Sequence, residues 1–208
     1  MSTTAEPRTV SLPLDTPIVV GGCVLLAAVI SFTRLFASDV GDLLTRNTVR
    51  LSLAWYAAAL CLMMQSRGDE DWRAQTTIGR LARWCWTWAI VVFLVHLAVA
   101  FHYYHGWSHT HALERTRQVS GVGEGIYVSY FFTWCWIADA LWWWWQPARY
   151  AARSVWIDRA LHTFMLFIVF NGMVVFETGG IRWAGCAMFA LLAAVWLVRY
   201  RARAAFAT

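Results

Sequence analysis

Long apolar blocks, rather than amphipathic or alternating faces, set the rhythm of this chain. Six stand out, at 17–36, 50–65, 84–103, 126–145, 156–176 and 183–198. Each approaches the roughly 20 residues a helix needs to cross a bilayer core of about 30 Å. Polar segments carrying the charges separate them. The period-2 alternation that a spanning barrel requires is missing. The pattern predicts an all-α fold, a polytopic membrane helix bundle with six transmembrane helices. The 50–65 block is the shortest; as a re-entrant or mismatched element it would reduce the count to five. The first block reads as an uncleaved anchor. Arg8 is the sole basic residue before it, and the run outlasts the core of a usual signal peptide.

Composition agrees with that pattern. The chain is 60% hydrophobic and 14% charged, against about 45–50% and about 25% in soluble domains. One bundle domain at 17–199 is expected, between tails at 1–16 and 200–208. Every basic residue is arginine, a usage that suggests a GC-rich bacterial genome. With the N-terminus inside, Arg8, Arg67, Arg73, Arg80, Arg83, Arg149, Arg153, Arg159, Arg199, Arg201 and Arg203 fall on the inner side. Arg34, Arg46, Arg50, Arg115, Arg117 and Arg182 fall on the outer side. The excess places both termini in the cytoplasm and the protein in a bacterial cytoplasmic (inner) membrane. The net charge of +5 follows from this bias. No basic domain lies outside the bundle, so no nucleic-acid partner is expected.

Five cysteines lie within or at the edge of predicted helices, without a C-x-x-C pair, and read as small hydrophobes. Many of the 15 tryptophans cluster at the inner ends of the predicted spans, matching an aromatic belt at the headgroup level. Trp134 and Trp136 fall deeper.

Candidate chemistry concentrates after the third block. Five of the six histidines, His96, His102, His105, His109 and His111, fall between positions 96 and 111. They lead into a histidine-rich outer loop at 102–125. If the third helix continues, His102, His105 and His109 share a face. His105 and His109 then have the i, i+4 spacing that lets two imidazoles meet one metal. His96, His111, Glu114 and Glu177 are the second-choice ligands or supporting partners. Imidazole suits a transition metal such as copper, iron or zinc. Haem is disfavoured, because His162 is the single histidine far from the cluster, and it sits at a different depth from His96. The cluster also lacks the three separated histidine boxes of membrane desaturases, so their di-iron site is not carried over.

A second constellation lies inside the bilayer. Asp139 and His162 fall on consecutive antiparallel spans at similar depth and form an expected intramembrane polar pair. Ionisable residues at such depth are expensive and point to function. Three functions therefore compete. The first is an externally facing metal site for redox chemistry or metal handling. The second is a proton-coupled transporter or channel using Asp139 and His162. The third is a non-catalytic subunit that meets membrane-protein partners or further copies of itself. The lipid bilayer is the expected partner in all three.

Overall fold

The computed structural model describes residues 15–65 and 72–206. The expected N-terminal tail through residue 14, the loop residue Arg67 and the last two residues lie outside that range. Every regular element among the described residues is helical. Helix α1 spans Asp15–Phe36, α2 Val40–Met64, α3 Thr77–Ala100, α4 His109–Ser120, α5 Gly125–Trp145, α6 Pro147–Ala151, α7 Val155–Phe170 and α8 Gly179–Phe206. Each of the six apolar blocks coincides with one long helix.

Four segments are long and apolar enough to cross a membrane: Asp15–Phe36, Thr77–His105, Val155–Val175 and Gly179–Ala202. That supports a membrane protein. The other two long helices fall outside that set for different reasons. Helix α2 carries Arg46, Asn47 and Arg50 in its first half, and α5 is dense in tryptophan and tyrosine. Helix α2 is nevertheless unbroken over 25 residues and has no re-entrant turn. It starts ten residues earlier than its apolar block. Asp39 caps its N-terminus by accepting from the Asp42 N–H at 2.9 Å. Its polar first turns find internal partners, as where the Thr48 hydroxyl donates to the Leu44 carbonyl at 2.8 Å.

Helices α2 and α3 form the central hairpin. Ala59, Ala82 and Ala89 are fully buried there, and such small residues let helix backbones approach closely. Ser52 reinforces the contact by donating to the Ala89 carbonyl at 2.8 Å. Around this hairpin, Phe132, Trp136 and Trp143 of α5, Met165 of α7 and Leu192 of α8 complete one core. Several tryptophans that read as headgroup anchors are thus core residues: Trp86 is 0% exposed and Trp143 1%. Trp145 and Trp156 do face outward, and so does Trp134 at 68% exposure, whereas Trp136 packs inside.

Two of the helices end in π-helical turns, Phe101–His105 after α3 and Asn171–Val175 after α7. The first stops at Gly106 and Trp107, both left-handed with φ of 53° and 61°. The chain then restarts as α4, capped by Ser108 and closed by left-handed Gly121. The expected outer loop at 102–125 is therefore largely helical.

Candidate functional site

At the end of the bundle that holds the start of α1 and the end of α2, the chain leaves α5 and turns sharply into α6. Pro147 occupies the first turn of α6, where its missing N–H costs nothing. This short helix folds Tyr150 and the following Arg153 back into the core instead of leaving them in an inner loop. Arg153 forms ion pairs with Asp139 of α5 and Asp158 of α7, with side-chain exposures of 1%, 5% and 12%. Tyr150 donates to the other Asp139 oxygen at 3.1 Å, and the Arg153 guanidinium lies 3.7 Å from the Tyr150 ring centroid. Arg73 closes the network. Its Nη1 donates to Asp158 at 2.8 Å and to the Arg153 carbonyl at 3.0 Å. Among the described residues, two guanidinium groups thus face two carboxylates. Burial, followed by the Asp139 carboxylate, raises the Tyr150 pKa far above its ordinary value, so the hydroxyl remains a donor.

His162 lies beside this network but does not join it. Asp158, His162, Met165 and Val169 follow helical spacing along one face of α7, which turns the histidine inward. The Asp139 carboxylate is committed to Arg153 and Tyr150, so the expected Asp139–His162 pair does not form. Both His162 ring nitrogens are buried without a hydrogen-bond partner among the described residues. The edges of Trp72 and Trp86 hold the ring, with centroids at 5.8 Å and 5.5 Å.

His162 forms part of the wall of a cleft of about 790 Å³ between α2, α7 and α8. Leu60, Met63, Leu166, Phe167, Phe189 and Leu192 supply an apolar surface, with Trp72 and Trp196 adding indole rings. No charged side chain lines it among the described residues. Ligand pockets are commonly of this kind, largely apolar with a few placed polar groups.

The outer histidines are placed separately. His96 faces α2, where its Nδ1 lies 3.0 Å from the Thr45 carbonyl oxygen. His102 is exposed and packs edge-on against Tyr103, with ring centroids 4.8 Å apart. The break at Gly106–Trp107 puts His109 on a different helix from His102 and His105, so the expected common face is not built. His109 instead meets the hydroxyls of Tyr130 at 3.0 Å and Tyr127 at 3.4 Å on α5. His111 is exposed at the start of α4. Glu114 pairs with Arg117 at 3.3 Å. Glu177 lies in the turn before α8, and its carbonyl accepts from Arg182 Nε at 2.8 Å. Among the described residues, no three histidine, cysteine, aspartate or glutamate side chains converge as a metal shell would require.

The residues missed in the sequence are Trp72, Arg73, Tyr150, Arg153 and Asp158. The signal that existed was Pro147 opening a short helix, with Arg153 and Asp158 just beyond it. Comparison with known protein families, curated proteins and solved structures finds no match.

Proposed function

We propose that the chain is a polytopic protein of the bacterial cytoplasmic membrane that binds a neutral, lipid-soluble ring compound in the α2–α7–α8 cleft. The chemistry is that of a quinone or quinol, with His162 as the hydrogen-bonding residue. Helices α2 and α5 join the four strongly apolar segments as spans, giving six, with both termini on the arginine-rich cytoplasmic side. The observation that carries the ligand reading is the pair of His162 nitrogens, unpartnered among the described residues, at the wall of a cleft whose other described lining is apolar apart from Thr163. Leaving a buried polar group unsatisfied costs about 1–3 kcal/mol. A carbonyl or hydroxyl arriving from the bilayer offsets that cost.

Competing occupants fit less well. An acyl chain offers His162 no hydrogen bond. A phospholipid headgroup brings charge into a lining that has none to answer it. A planar neutral ring finds Trp72, Phe167 and Phe189 to pack against and His162 to bond with. The buried ion network holds α5, α6 and α7 around the histidine and so positions it. A direct proton path from Asp139 to His162 draws no support from this geometry, because Asp139 is bound to Arg153.

The test is binding of decyl-ubiquinone to the full-length protein in lipid nanodiscs, followed by quenching of tryptophan emission. Saturable quenching is expected, with affinity roughly tenfold weaker in His162→Leu, the equivalent of about one hydrogen bond. Equal affinity in a folded His162→Leu protein, or equal competition by a decyl chain lacking the ring, overturns the reading.

A further inference from the structure

A second cavity, of about 510 Å³, opens at the opposite end of the bundle, and it differs in chemistry from the His162 cleft. Both π-helical turns border it. His105 comes from the turn after α3, and Asn171 and Gly172 from the turn after α7. Such turns are rare and occur frequently at functional sites. Helix α4 contributes Arg115, and Ser129 of α5 adds a hydroxyl.

Three features point to one kind of ligand. The Nδ1 atom of His105 is buried without a hydrogen-bond partner among the described residues. The Arg115 guanidinium meets only Gln118, at a long 3.5 Å, among the described residues. Among the described residues, no aspartate or glutamate lines the cavity to neutralise that cation. A Cβ placed on Gly172 would meet nothing within 4 Å, so the floor beside Asn171 is open.

We infer that this cavity is a binding site for an oxyanion, phosphate or phosphodiester, held by Arg115 and His105. Arg115 supplies charge and forked donors, which match such oxygens. His105 supplies a donor from the π-helical turn once its Nδ1 carries the proton. The Asn171 side-chain amide already donates to the Phe167 carbonyl at 2.8 Å, so it frames the site. Phe167, Ile168 and Phe176 extend the wall with apolar surface. The oxyanion therefore comes either from a soluble phosphate or from the headgroup of an anionic phospholipid.

Calorimetric titration of the full-length protein in neutral detergent tests this and distinguishes the sources. The probes are inorganic phosphate, a short-chain phosphatidylglycerol and the matching phosphatidylcholine. Binding of phosphatidylglycerol alone assigns a lipid headgroup; binding of inorganic phosphate as well assigns a soluble anion. In either case Arg115→Gln should weaken binding about tenfold, the loss of one charge-assisted contact. Arg115 is exposed, so that variant keeps the fold, and His105→Gln provides an independent second reading. The inference is overturned if neither anion binds, if phosphatidylcholine binds as well as phosphatidylglycerol, or if Arg115→Gln leaves affinity unchanged. Because the probes are anionic and the substituted residues, Arg115 and His105, do not line the His162 cleft, this outcome is independent of the quinone titration.

Discussion

Arg153 is the residue on which the buried chemistry turns. It satisfies two carboxylates at once while stacking on Tyr150, and its own side chain is sealed from solvent. A buried ion pair need not add net stability, because desolvating both charges is costly. Removing one partner is different, since it strands the other charge. Arg153→Met leaves Asp158 with Arg73, but leaves Asp139 with Tyr150 alone. That variant should lose about 3–5 kcal/mol, the usual cost of an uncompensated buried charge. Adding Asp139→Asn removes the stranded charge, so the double variant should melt at a higher temperature than Arg153→Met alone. Thermal unfolding in detergent, followed by tryptophan emission, gives the comparison. A double variant no more stable than the single one would show that Asp139 does not depend on Arg153.

Helix α1 is mostly exposed but meets the bundle along its length, at Asp15, which accepts from Trp84 at 2.8 Å, at Gly22, and at buried Thr33, which accepts from Asn47 at 3.0 Å. Gly21 and Gly22 stand side by side in α1, and their order in the sequence does not say which one matters. The structure does: a Cβ on Gly22 would fall 2.1 Å from the Trp88 indole, whereas one on Gly21 would meet nothing within 4 Å. Trp88 is itself buried and stacked against Trp55, with centroids 6.4 Å apart, so its ring cannot simply swing away. Gly22→Ala should therefore destabilise by about 1–3 kcal/mol, the range for overpacking, while Gly21→Ala should be neutral or slightly stabilising through helix propensity. Melting curves of the two single variants decide it; equal effects would remove the α1–α3 contact from the account. The same contrast explains what was readable at this scale. The long helices were visible because apolar runs of spanning length leave few alternatives. The short ones were not. Helix α4 is polar, and its signals are local: Ser108 before it, Gly121 after it, and Gly106 to break α3. A continued α3 would set His102, His105 and His109 on one face; the left-handed pair at Gly106–Trp107 separates them in space. Arg153 was hidden for the opposite reason. Its neighbours in sequence are those of a surface loop, and only the return of α6 onto α5 and α7 buries it.

For the whole molecule, the arrangement of charge at the two ends carries the argument. Consecutive long helices alternate in direction, so the starts of α1, α3 and α7 lie at one end with the finishes of α2, α5 and α8. That end gathers Arg73, Arg80, Arg83, Arg149, Arg153 and Arg159, although Arg153 lies buried and Arg80 is answered by Asp15 at 3.1 Å. The opposite end carries Arg34, Arg46, Arg115, Arg117 and Arg182, with Asp42 pairing Arg46 and Glu114 pairing Arg117. In the proposed orientation, with the arginine-rich end retained on the cytoplasmic side, the His162 cleft would lie nearer the cytoplasm and the His105 cavity nearer the outside. Single cysteines introduced at exposed Arg117 and Arg149 read this directly. The native cysteines all lie within helices, where a membrane-impermeant maleimide applied to intact cells should not reach them. Arg117→Cys should label from outside, and Arg149→Cys should label only after the membrane is opened. The reverse pattern would invert the molecule and place the oxyanion cavity toward the cytoplasm. Labelling of both from outside would mean that an odd number of spans cannot lie between residues 117 and 149, and α5 would then have to be withdrawn as a membrane-crossing helix.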